Sequence, residues 1–263
     1  MTYLFNNSKI RSKINIVVLG RMKKEIFKLL VFITISALLT SRVYAGLDKK
    51  HNIAGLVYWH GDISQPKITL TFDDGPNEPY TSEILDILKK YNVKATFFLL
   101  GKNVERYPDT ARRIVEEGHA IGNHTYDHPY LLIQSKSHIK YELEKAEQVI
   151  FKATNTKPYL FRPPYGVNDS WIYHAVKEKG YVTIEWSVTS HNGGKEISPD
   201  RIVRNVLGEV KNGAIVLLHD GDRLIKGANR SHVVKALTPI IESLQQRGYQ
   251  FVTVPQLLGI END

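Results

Sequence analysis

The sequence predicts an α/β fold with a parallel sheet, arranged as a small β/α barrel of about seven units in a single catalytic domain. Three observations carry this. From about residue 66 onward, short β-rich runs alternate with longer stretches of helical periodicity. A glycine (Gly118, Gly180, Gly213, Gly248) closes a helical pattern just before a strand four times. The polar residues able to do chemistry fall just after strands, as a parallel barrel requires, because all its strand ends open on one face. An open doubly wound sheet is the alternative that periodicity alone does not separate.

The strand runs are Lys67–Phe72, Ala95–Leu100, His119–Gly122, Tyr159–Phe161, Tyr181–Trp186, Ala214–Leu218 and Tyr249–Val254. Between them, Ile84, Leu85 and Leu88 mark one helix face, and Ile139, Leu143, Ala146 and Ile150 a second. Ile202, Val203, Val206 and Val210 mark a third, introduced by Ser198 as N-cap with Pro199 at the first helical position. Val233, Val234, Leu237, Ile240, Ile241 and Leu244 mark a fourth.

The chain has 263 residues, 42% hydrophobic and 24% charged, enough for a full core, and a formal net charge of +8. That charge does not point to nucleic acid. Residues 1–45 hold eight of the Lys and Arg residues and one acid, leaving 27 basic against 26 acidic residues in the body, without the clustered positive charge that phosphate binding needs. The front reads as a targeting segment. A basic stretch from Met22 to Lys28 precedes an apolar run, Leu29 to Thr40, too short to span a bilayer comfortably. Val43-Tyr44-Ala45 then offers a cleavage site before Gly46. The expected organisation is an over-called extension over 1–21, a signal peptide over 22–45, a lead-in over 46–65 and the catalytic domain over 66–263. The product would be exported to the periplasm or the outside, without stable membrane insertion after cleavage; the sequence does not fix its oligomeric state, and a monomer is favoured. There are no cysteines, so any metal site must use His and carboxylates.

Four constellations could carry chemistry. Asp73-Asp74 ends an apolar strand before the Gly75-Pro76 turn. Side chains alternate along a strand, so the neighbouring carboxylates can serve as metal ligand and base. Taken alone, the same residues make an ordinary acidic turn. His124 and His128 lie four residues apart and would share one face of a helical turn, close enough to grip one metal, with Asp127 available behind them. Arg162-Pro163-Pro164-Tyr165 is a stiff loop whose backbone could aim an N–H at an oxyanion and whose arginine could hold a carboxylate bidentately. His219 ends a buried strand and suits protonation of a leaving amine. The other histidines, His191 among them, receive no role.

In order, Thr71-Phe72-Asp73-Asp74-Gly75-Pro76, His124-Thr125-Tyr126-Asp127-His128, Arg162-Pro163-Pro164-Tyr165 and Leu217-Leu218-His219-Asp220 resemble the signatures of the NodB-type polysaccharide deacetylases, carbohydrate esterase family four. The match spans roughly residues 66–254. The resemblance implies a distorted, incomplete β/α barrel, with one divalent ion held by Asp74, His124 and His128. Zinc is the usual metal, and cobalt or another divalent ion can substitute. It further implies Asp73 as the base that activates water, Arg162 as its orienting partner, the Tyr165 N–H at the oxyanion and His219 as general acid. Leu217, Pro164 and Trp186 would line the substrate pocket. The implied reaction is removal of acetyl groups from N-acetylated sugars of peptidoglycan, chitin-type glycan or exopolysaccharide. Alternatives are O-acetyl ester hydrolysis on a xylan-like glycan, amidohydrolysis of a cyclic amide, or glycan binding by a decayed site. The sequence departs from the family at its fourth motif. There Thr189 and Asn192 replace acids and Gly193 replaces a tryptophan, which predicts a modified acid step and a more open groove.

Overall fold

A computed structural model describes residues 56–166, 169–191, 197–223 and 225–260. The targeting segment, Asn192 and Gly193 lie outside the described residues. In chain order the strands are β1 (Val57–Tyr58), β2 (Lys67–Asp73), β3 (Thr96–Leu99), β4 (Ala120–Asn123), β5 (Leu160–Phe161), β6 (Val182–Ile184), β7 (Val188–Thr189), β8 (Ile215–His219) and β9 (Gln250–Phe251). The helices are α1 (Tyr80–Lys90), α2 (Gly101–Arg106), α3 (Pro108–Glu116), α4 (Lys136–Thr154), α5 (Ser170–Lys177), α6 (Pro199–Glu209), α7 (Ser231–Gln246) and α8 (Val254–Leu258).

All seven predicted strands are present. The last is shorter than expected, because Thr253 caps α8 through a reciprocal capping box with Gln256, which turns Val254 into a helix start. The sheet begins at β1, inside the stretch read as a lead-in. Ser198 sits at the N-cap of α6 by position, without a side-chain hydrogen bond to the helix.

Strand order decides between barrel and open sheet. The path runs β1-β6-β5-β4-β3-β2-β8-β7, with β9 paired to β2 and every ladder parallel. From β2 to β6 each strand adds on the same side of its predecessor, without the reversal of a doubly wound sheet. Just past the β1 edge, His60 bridges Ala214, which precedes β8, and the Gly61 amide donates to the Gly213 carbonyl at 2.8 Å. Such contacts between distant positions of the path require a curled sheet, so the fold is an incomplete barrel.

Alternation along the strands feeds two cores. Ile68, Leu70 and Phe72 of β2 and Phe97 and Leu99 of β3 pack outward against Leu85, Leu88 and Ile240 of the helices. Phe98, Leu160, Ile184 and Ile215 fill the interior, closed at the strands' N-terminal end by Val254 and Leu257 of α8. Each fully buried large apolar side chain contributes about 1.5–3 kcal/mol. The left-handed backbone at Gly118, Gly180, Gly213 and Gly248 (φ +77° to +83°) explains the glycine before each strand. Among the described residues no helix is long and apolar enough to cross a membrane.

Candidate active site

The site grows from the end of β2. Thr71 and Asp73 share its inward face, and Asp73 lies in register with His219 on β8, so a carboxylate and an imidazole stand on adjacent strands. Arg162, fully buried, follows β5 and donates from one guanidinium nitrogen to both Thr71 Oγ1 and Asp73 Oδ1, each at 2.7 Å. Its grip on Asp73 is through that one nitrogen and not bidentate, because Nε and the second terminal nitrogen donate to the carbonyls of Ile184 and Glu185. The guanidinium also lies 4.1 Å from the Phe98 ring, so the apolar interior holds the arginine in place.

Asp74 reaches the same cleft as Asp73 although strand alternation would part them. Its backbone leaves the strand in the left-handed region (φ +72°). The carbonyls of Asp74 and Gly75 accept from Asn103 Nδ2 (2.7 Å) and from the Leu100 amide (3.0 Å), which pins the turn to the start of α2. A Cβ on Gly75 would sit 2.1 Å from an Asp220 carboxylate oxygen, and one on Gly221 would sit 2.1 Å from the Asp74 carbonyl, so both positions exclude a side chain.

His124 and His128 converge, but not on a helical turn. Residues 124–128 form an irregular loop with Thr125 and His128 at positive φ (+71° and +59°). Side chains supply the bonds a helix would have made. Asn123 Oδ1 accepts from the Thr125 amide (2.8 Å), Thr125 Oγ1 from the His128 amide (3.0 Å), and buried Glu142 of α4 from the amides of Tyr126 and Asp127 (3.0 and 2.9 Å). Asp127 faces outward and pairs with Lys102 at 2.7 Å, away from the imidazoles.

Electrostatics favour a cation at the centre. Burial raises Asp73 above the usual carboxylate range, opposed by Arg162 and His219. Burial, then repulsion from Asp73, raises Asp74 further, with Arg230 the main relief. Burial pushes His124 down to about 3 and His128 to about 2, so both imidazoles are neutral and keep a lone pair for a metal. His124 Nδ1 lies 2.8 Å from the Arg162 carbonyl, which fixes that nitrogen as donor and turns Nε2 to the site. Asp74 Oδ1 is buried without a hydrogen-bond partner, 3.5 Å from both His124 Nε2 and His128 Nε2. One ligand atom from each of Asp74, His124 and His128 lies within 4.8 Å of the others. The donor set fits a divalent ion.

The cleft over these groups measures about 380 Å³. Trp186, Leu217, Tyr165 and Pro163 line it, and Pro164 is not among the lining residues. Tyr165 adopts φ +64° and sets its ring against His128, 4.6 Å between centroids. Burial pushes His219 down to about 4, partly offset by Asp73. Thr189 Oγ1 accepts from the His191 amide at 3.0 Å, so this hydroxyl is engaged with its own loop.

The structure thus brings Asp73, Asp74, His124, His128, Tyr165, Trp186, Leu217 and His219 to one cleft, with Arg162 behind Asp73. Sequence reading missed Glu142, Arg230, Asp222 and Arg223, and gave no role to Asp220 or His191. Arg230, buried, donates to the Gly221 carbonyl (2.7 Å) and to Asp222 (2.9 Å), holding the loop after β8 against Asp74. Asp220 is pushed up to about 7 by burial, while Thr81 donates to it at 2.6 Å.

Comparison with known proteins agrees with this geometry. The family model "Polysaccharide deacetylase" matches residues 60–184. A peptidoglycan-N-acetylglucosamine deacetylase of Bacillus cereus is 38% identical over 215 residues, 81% of this chain and 97% of the relative. The chain belongs to the polysaccharide deacetylase family. Such relatives are named as N-deacetylases, hydrolases acting on carbon–nitrogen bonds, and another of them, a chitooligosaccharide deacetylase of Bradyrhizobium sp., is 37% identical over 75% of this chain and 94% of its own. Among solved structures, a peptidoglycan N-acetylglucosamine deacetylase in complex with a naphthalenyl N-oxidanyl-benzamide superposes with a TM-score of 0.75 at 36% identity, covering 79% of this chain and 95% of that one. The incomplete barrel is therefore the deacetylase fold, and residues of all four signature segments line the cleft of this chain.

Proposed function

We propose that this deacetylase hydrolyses the acetamide of N-acetylated sugars in an extracellular glycan, using one divalent ion, zinc or a substitute such as cobalt, held by Asp74, His124 and His128. The observation that carries the reading is the buried, hydrogen-bond-free Asp74 Oδ1 facing two neutral imidazoles beside a carboxylate that Arg162 holds. The named activities of the relatives support a glycan substrate, and the signal-like segment at 22–45 supports export.

A bound divalent ion supplies Lewis acidity, which polarises the amide carbonyl and acidifies water. The chain's own residues do the rest. Asp73, kept in place by Arg162, accepts the proton of the attacking water as its oxygen bonds to the amide carbon. The Tyr165 N–H, on a backbone stiffened by Pro163 and Pro164, stabilises the charge that develops on the carbonyl oxygen. His219 protonates the departing nitrogen, the C–N bond breaks, and acetate and the free amino sugar leave. Trp186 and Leu217 wall the cleft around the acetyl group.

Thr189 favours a second reading, O-acetyl ester hydrolysis, since an alcohol leaving group needs less help from an acid than an amine does. A substrate panel on metal-reconstituted protein separates the two. We expect acetate from N-acetylglucosamine oligomers or peptidoglycan strands, abolished by chelator and restored by zinc or cobalt. Acetate only from O-acetylated glycan would transfer the reading to esters. Chelator-insensitive binding without acetate would mean a decayed, glycan-binding site.

A further inference from the structure

Beyond the reacting centre, one edge of the cleft is built to recognise charge. Tyr165 and Tyr130 are 46% and 45% exposed and pack edge to face at 5.5 Å, forming an aromatic ridge that starts against His128. The Arg223 guanidinium lies 4.6 Å from the Tyr165 ring centroid and lines the same cleft. Its neighbour Asp222 is already paired with Arg230 at 2.9 Å, and among the described residues Arg223 has no ion pair of its own. The cleft therefore has an acidic floor that suits a metal and, on one rim, a cation stacked on an aromatic face.

Stacking fixes the plane of a guanidinium and leaves its N–H edge free, the geometry that takes a carboxylate in a two-pronged bond. The half-exposed tyrosine faces beside it suit the flat, apolar side of a sugar ring. We propose that Tyr130, Tyr165 and Arg223 form a subsite for a sugar that bears a carboxylate and adjoins the N-acetylated sugar being hydrolysed. This rests on the deacetylase reading and narrows its substrate class to acidic glycans, in which the carboxylate belongs to a lactyl ether or a uronic acid.

The test compares wild type with Arg223→Gln on oligomers of equal length. One set is neutral N-acetylglucosamine, a second alternates with lactyl-ether sugars, a third alternates with uronic acids, and the fourth is the lactyl set with its carboxylates amidated. We expect the variant to lose about tenfold in kcat/KM on a carboxylate-bearing set and less than about twofold on the neutral and amidated sets. Whichever acidic set shows the loss identifies the source of the carboxylate. An equal loss on all four sets would overturn the subsite and place Arg223 at the reaction itself, and no loss on any would remove it from recognition. If wild type releases no acetate, calorimetric binding of the same oligomers keeps the two readings apart. Carboxylate-dependent binding that Arg223→Gln abolishes then supports the subsite while the deacetylase reading fails, and binding indifferent to the carboxylate overturns the subsite.

Discussion

Strand β4 carries a buried histidine at each end, and the two do opposite things. His119 precedes the strand and His124 follows it. Burial depresses both, His119 to about 4 and His124 to about 3, so neither its depth nor its titration separates a structural histidine from a functional one. The ring nitrogens do. His119 Nδ1 lies 3.1 Å from the Ala95 amide and accepts from it, which puts the proton on Nε2, while the ring packs edge-on against Phe97 at 5.5 Å. His124 uses Nδ1 as a donor to the Arg162 carbonyl, and its Nε2 lone pair faces Asp74 Oδ1 at 3.5 Å. The first ring completes a backbone pattern at the strands' N-terminal end. The second is held by backbone and left incomplete where the strands' C-terminal ends converge, and incompleteness of that kind marks a site.

The strongest way to break this contrast is His124→Asn. The amide side chain can still bond the Arg162 carbonyl, but it cannot place an imidazole lone pair at the metal position. Residues that merely orient metal ligands are worth about 10–100-fold in affinity or activity, so removing a ligand should cost more than about 100-fold in kcat/KM. Bound metal, measured by elemental analysis, should fall well below one equivalent with the fold retained by circular dichroism. A variant that keeps its metal and most of its rate would show that Asp74 and His128 suffice and would undo the comparison.

A smaller effect sharpens the contrast across the cleft. On the Asp73 side a buried arginine holds the carboxylate; on the His219 side, Thr189 stands in place of the carboxylate that the resemblance leads one to expect. Burial lowers His219, and Asp73 is its main charged support. Thr189→Asp adds a further negative charge to the cleft, which favours the imidazolium and raises the pKa of His219. A general acid works only while protonated, so the basic limb of the kcat–pH profile should move to higher pH, by less than about one unit for a partly solvated pair. An unmoved basic limb would mean that His219 does not set it.

Much of this was legible in the sequence, for physical reasons that differ from element to element. The long periodic helices and seven strand runs declared themselves because apolar positions must face a core at fixed spacing. β1 and β7, the two ends of the strand path, were not read as strands; each is two residues long and pairs with a single neighbour, β6 and β8 respectively. The candidate metal and base residues were legible because their types and their positions after strands coincide. Their geometry was not: φ at Asp74, Thr125 and His128 is left-handed in residues that seldom adopt it, and side-chain bonds impose it from elsewhere in the chain. One missed partner did leave a trace. Glu142 interrupts the apolar stripe of Ile139, Leu143 and Ala146, and an acid on a buried helix face needs donors, here the Tyr126 and Asp127 amides. Arg230 left none, since it lies just ahead of α7 and meets Gly221 and Asp222 only through the fold.

The smallest effect on the reaction is expected at His119, where the consequence falls on stability instead. Its folded pKa, about 4, lies below the unfolded value of 6.5 because burial, with Lys94 and Arg113, outweighs the opposing pull of Glu117. Between those values the unfolded chain binds a proton that the folded chain refuses. The contribution is therefore fully present above about pH 6.5, is lost as pH falls toward 4, and amounts to on the order of 3 kcal/mol over that window. His119→Asn keeps an acceptor for the Ala95 amide and removes the titration, so kcat/KM at neutral pH should stay within about twofold. Urea unfolding at steps between pH 7 and 4 should show a shallower loss of stability than in wild type, by up to one proton's worth of slope. If the slopes coincide, His119 is not a neutral ring accepting from the Ala95 amide, and the two ends of β4 are less different than their hydrogen bonds indicate.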